Sequence, residues 1–114
     1  MNKIIMAILF FAIAQISSWF INNGQFFNKW IHNHPMLISI IFSAPITYLF
    51  IHATRYSAEY FDGQVWPGRF IGFGLGMMSF SILTYIFLDE SINIKTAISL
   101  VLAGTLLCIQ IFWK

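Results

Sequence analysis

Charge is what this chain has least of. Only 9% of its 114 residues are Asp, Glu, Lys or Arg, against about 25% in soluble domains. The net charge is +2 and the basic residues form no run, which argues against a nucleic-acid partner. Cys108 is the only cysteine, so no intrachain disulfide can form and the residue says nothing about redox compartment. The histidines His32, His34 and His52 have no carboxylate at ligand spacing, so no metal site is expected. No catalytic motif and no cofactor fingerprint is present, and an enzyme is not expected.

What the chain has instead is apolar length. Four stretches, 4–21, 36–54, 70–88 and 94–113, fill most of it, and none holds an acidic residue, Lys or Arg except Lys95, near the start of the last. Each is about 18–20 residues long, or about 27–30 Å of helix, close to the hydrocarbon thickness of a bilayer. The mean hydropathy of +0.78 is too high for a water-facing surface. In lipid the backbone must satisfy its own hydrogen bonds, so such stretches are helices. The expected fold class is an all-α integral membrane protein, one domain over 1–114, built as a bundle of four transmembrane helices. The Ala12-Ile13-Ala14 pattern sits inside the first apolar run rather than after it, so an uncleaved first helix is expected, not a signal peptide.

The connections carry their own signals. Phe26, Phe27, Trp30 and Ile31 recur at helical spacing in the polar segment 22–35, as in a short amphipathic turn in the membrane interface. Gly63, Pro67 and Gly68 mark turns in the segment 55–69. The segment 89–93 is too short for anything but an antiparallel pair of neighbours, with Asn93 or Ser91 as cap of the last helix. Trp19, Trp30, Tyr56, Tyr60, Trp66 and Trp113 lie near the water boundaries as an aromatic belt. Lys3, Arg55, Arg69 and Lys114 fall on one side of four crossings, Lys29 and Lys95 on the other. Both termini are therefore expected on the cytoplasmic side of the plasma (inner) membrane. The margin is small enough to leave insertion in both orientations open.

Polar and small residues within the spans point to faces that meet protein. Gln15, Ser18, Trp19 and Asn22 form one stripe of the first helix. A buried amide such as Gln15 needs partners for two donors and an acceptor, so it is either glue between helices or a polar contact in a substrate pathway. Ser39, Ser43 and Thr47 recur every four residues on the second helix, with Tyr48 beside them and Pro45 as a mid-span hinge. Gly72 and Gly76 form a GxxxG packing pair on the third helix, where Ser81 and Tyr85 line another face. Gly104 stands on a small-residue stripe of the fourth, with Ala97, Val101 and Cys108.

Four crossings in just over a hundred residues, and the segment TYIFLDESIN at 84–93 leading into KTAISLVLAG at 95–104, resemble the small multidrug-resistance branch of the drug/metabolite transporter superfamily. Members of that superfamily often carry a Leu-Gly-Glu-Pro-like turn between their last two helices, then a helix with a late glycine. Glu90 and Gly104 match that pattern. The likeness covers the last third; the rest agrees in helix count and spacing. The resemblance implies a transporter and, in some members, antiparallel homodimers. The small multidrug exporters use a glutamate in the first helix that binds proton and cation by turns. Here 4–21 holds no acid, and the chain looks more like the uncharacterised four-helix members that lack the glutamate.

Two functions follow as expectations. One is a small transporter-like homodimer acting on a neutral or weakly polar compound, with a pathway lined by Gln15, Ser18, Trp19, Ser43, Thr47, Tyr48, Ser81 and Tyr85. The other is a non-enzymatic membrane subunit or scaffold, packed by Ser39, Gly72, Gly76 and Gly104 against a larger complex.

Overall fold

The computed structural model describes residues 2–113; Lys114, one of the four charges counted on the terminal side, lies outside them. The described residues form helices α1 (Lys3–Asn23), α2 (Lys29–Asn33), α3 (Pro35–Tyr60), α4 (Trp66–Leu88) and α5 (Ile94–Phe112), with a 3-10 turn at Gly24–Phe26 after α1. No strand occurs among them. Helices α1, α3, α4 and α5 are each long and apolar enough to cross a membrane.

Asparagines start three of the helices. The Asn2 side chain accepts from the Ile4 N–H at 2.9 Å, Asn28 from those of Trp30 and Ile31, and Asn93 from that of Thr96 at 2.8 Å. Each satisfies amides that a helix start leaves open. Pro35 and Pro67 occupy the first turns of α3 and α4, where a fixed φ and a missing N–H cost nothing. Helix α4 ends on Asp89 in the left-handed conformation, φ 55°, which turns the chain back sharply into α5.

The segment 55–69 is mostly helix rather than loop. Between Arg55 and Tyr60 nothing breaks the helix, and Pro67 opens α4 instead of interrupting the chain. The turn contracts to 61–65, where Asp62 and Gly63 adopt positive φ, 59° and 89°. At 26 residues, or about 39 Å, α3 is longer than a bilayer core. In the first connection the amphipathic segment becomes the short helix α2, with Phe26, Phe27 and Trp30 exposed.

The long helices stand side by side in the order α3–α1–α4–α5. The extents are 46 × 36 × 21 Å and the radius of gyration is 15.3 Å; α3 also meets α4 directly, with Ser57 against Gly68, so α1, α3 and α4 form a three-helix group with α5 on its α4 side. Contacts between α1 and α4 advance together along both helices, Gln15 to Gly72 and Trp19 to Thr84, so these two run parallel. Helix α1 lies inside the row and buries Ala7, Phe11, Ala14 and Trp19. Phe11, Ala53 and Ile71 join α1, α3 and α4 in one small core, with Phe50, Leu75 and Leu107 packed around it. Lys3 and Glu59 form an ion pair between the start of α1 and the end of α3.

Candidate functional site: a groove where three helices meet

Parallel helices can approach closely only where side chains are small. Along α4 that condition is met at Gly68, Gly72 and Gly76. A Cβ at Gly72 would stand 3.0 Å from the Phe11 ring, and one at Gly76 would stand 2.8 Å from the Gln15 side-chain carbonyl carbon. Gly76 thus makes the space that the Gln15 amide fills, and Gly72 supplies its acceptor: Gln15 Nε2 donates to the Gly72 carbonyl at 2.9 Å. One turn further along α1, Trp19 Nε1 donates to Thr84 Oγ1 at 3.0 Å, with both residues buried. The aromatic rings of Phe20, Phe27 and Phe87 gather around that indole. The end of the α1–α4 seam away from the chain termini is therefore closed.

Toward the chain termini the seam opens. A groove of about 680 Å³ lies between α1, α3 and α4, lined by Phe11 and Gln15 from α1, Phe50 and Thr54 from α3, Val65 before α4, and Trp66, Gly68, Arg69, Gly72 and Phe73 from α4. Its walls are aromatic, its polar groups few, and its size is that of a small-molecule site. Gln15 is half-buried here and one of its donors is engaged; its carbonyl oxygen accepts no hydrogen bond among the described residues. Beside the groove the Ser57 hydroxyl is buried without a hydrogen-bond partner among the described residues, pressed against Gly68. A second, apolar cavity of about 340 Å³ lies between α1, α2 and α3, lined by Ser17, Phe20, Ile31, Phe42 and Pro45 among others.

Of the eight pathway residues expected from sequence, only Gln15 lines the groove. Trp19 is held by Thr84. Ser18 is half-buried on α1. Ser43, Thr47 and Tyr48 lie exposed on α3, Tyr48 with its ring edge-on to His52 at 4.4 Å. Ser81 returns its hydroxyl to the Met78 carbonyl at 2.9 Å, and Tyr85 is exposed. Ser39 likewise bonds the Pro35 carbonyl and stays exposed. Pro45 sits inside a continuous α3 and borders the second cavity. Gly104 faces open space, with nothing within 4 Å of a Cβ built on it.

Sequence reasoning missed Thr84, Phe11 and Arg69. Thr84 had a signal: an indole N–H in an apolar span needs an acceptor, and Thr84 lies about two turns beyond Gly76. Arg69 was counted only as a topological charge. No group of three metal-ligating side chains occurs among the described residues. No protein family, no curated protein and no solved structure matches this chain.

Proposed function

We propose that this chain is a multi-pass protein of the plasma membrane, transporter-like in the manner of the drug/metabolite transporter superfamily, which works as a homodimer and takes a small neutral or weakly polar compound into the groove. The observation that carries this reading is the groove itself. It is large enough for a small organic molecule, apolar on its walls, and reaches the half-buried Gln15 amide with an acceptor to spare. A seam serving packing alone has no need of such a space. Membrane residence draws support from the exposed apolar flanks: only 6% of the most apolar window of α5 is buried, and 11% of that of α3. Surfaces of this kind are not left to water. The termini are taken as cytoplasmic from Lys3, Arg55 and Arg69 at that end, with dual insertion as a variant of the same reading.

The test is uptake of labelled weakly polar compounds by liposomes holding the purified protein. Uptake above that of empty liposomes, reduced at least about tenfold by Gln15→Leu, is expected. Uptake equal to that of empty liposomes across a broad panel would overturn the proposal.

One observation favours a second reading, a membrane subunit. Helix α5 buries only Ala103 and leaves Val101, Leu102 and Gly104 uncovered. Stable co-isolation of unrelated membrane proteins in mild detergent, lost when Val101 and Leu102 are replaced by polar residues, would select it.

A further inference from the structure

The mouth of the groove carries a cation that marks the boundary of its span and has no ion-pair partner among the described residues. Arg69 lines the groove at the close of the first turn of α4. That position is poor for a positive side chain, because a helix start already presents the positive end of its dipole. Neither an acidic residue in that turn nor a capping side chain from Val65 offsets it. Lys3, at the same end of the molecule, is paired with Glu59; among the described residues no carboxylate pairs with Arg69. Below it the walls are Phe11, Phe50 and Phe73, and Gln15 lies at the level of Gly72 to Gly76, about 5–10 Å deeper along α4. One end of the groove thus favours negative charge, and its body favours hydrocarbon.

We infer that the groove binds an amphiphilic organic monoanion, with the acidic head on Arg69 and the apolar chain between Phe11, Phe50 and Phe73. This rests on the groove being a binding site, and it replaces a wholly neutral ligand with one charged at its exposed end. The guanidinium fits a carboxylate or a phosphodiester through two parallel hydrogen bonds. The same chemistry is offered by a free medium-chain carboxylic acid and by an anionic phospholipid.

The inference is tested by equilibrium binding of labelled decanoate and of uncharged decanol to the full chain in phosphatidylcholine nanodiscs, each corrected for empty discs. Decanoate binding should weaken at least about tenfold in Arg69→Gln and by less in Arg69→Lys, which restores the charge but not the paired hydrogen bonds. It should be unchanged in Arg55→Gln, which removes a nearby cation that does not line the groove. Decanol should not distinguish Arg69→Gln from the parent. Thr54→Trp, which fills the groove from α3, should abolish binding of both. If Thr54→Trp abolishes both but Arg69→Gln leaves decanoate unaffected, the monoanion is wrong and the groove stands. If Arg55→Gln weakens decanoate as much as Arg69→Gln does, diffuse surface charge is responsible and the inference falls. If Thr54→Trp changes nothing while circular dichroism reports intact helices, the groove is not a site and the proposed function falls with it. Displacement of decanoate by phosphatidylglycerol in the discs assigns the site to a bilayer lipid, and persistence assigns it to a free acid; both uphold the monoanion.

Discussion

The two flanks of α4 are built on different principles. Toward α1 the contact is specified atom by atom: glycines let the backbones approach, Gln15 reaches the Gly72 carbonyl, and Trp19 reaches Thr84. Toward α5 a glycine also lets the helices close in, with Leu107 and the Ala103 carbonyl against Gly74, but no side-chain hydrogen bond joins the two helices among the described residues. In lipid, hydrocarbon packing against hydrocarbon gains little over packing against acyl chains, whereas close backbone approach and hydrogen bonds have no equivalent there. The α1–α4 seam therefore fixes the geometry of the molecule. Helix α5 is attached to it, with most of its surface available to lipid or protein.

The sharpest way to break this comparison is to place bulk in the α1–α4 seam and on the uncovered face of α5. Gly76→Leu drives a side chain into the Gln15 amide, and Gly72→Leu drives one into the Phe11 ring. Each should cost about 3 kcal/mol, the upper end of overpacking penalties, and lower the thermal midpoint in detergent. Gly104→Leu should stay within about 0.5 kcal/mol, because it meets nothing. Equal losses at Gly76 and Gly104 would show that a partner covers the open face of α5 in the detergent.

The next contrast lies within the seam. Trp19→Phe and Thr84→Val each remove one half of a buried pair. Such bonds within membranes average about 0.6 kcal/mol and reach about 1.7. A double-mutant cycle should return a coupling in that range. Gln15→Leu should cost about as much stability and also lower ligand binding in the groove. Stability loss without binding loss would make Gln15 structural glue, like Trp19.

What could be read from the sequence follows the same division. The four long helices were legible from their apolar length and composition, and their limits moved by more than two residues only where local chemistry allowed more helix, at 55–60 and 66–69. The Gly72–Gly76 pair and Gln15 were legible as features, but not as partners of each other. Nothing in either helix states which neighbour it meets or that the two run parallel. Ser43, Thr47 and Tyr48 show the cost of that gap. Small and polar residues at regular spacing describe a face that can pack, and on α3 that face is left open. Arg69 was hidden for the opposite reason. At a span boundary an arginine reads as a topological charge, and only the convergence of α1, α3 and α4 turns it into the rim of a groove.

The smallest expected effect separates charge outside the apolar slab from dipoles within it. Lys3 and Glu59 are paired but about half exposed, at 53% and 42% of their side-chain surfaces. Exposed pairs are worth about 0.2–1 kcal/mol, and salt screens them over about 8 Å at physiological strength. Lys3→Met should therefore lower the unfolding midpoint slightly at low salt and not at all in 1 M NaCl. Gln15→Leu should lower it equally in both, because its bond joins two uncharged groups. A salt-sensitive Gln15→Leu would mean that water and ions fill the groove down to the Gly72 carbonyl. The bond from Trp19 to Thr84 would then be the one dry side-chain hydrogen bond between α1 and α4 among the described residues.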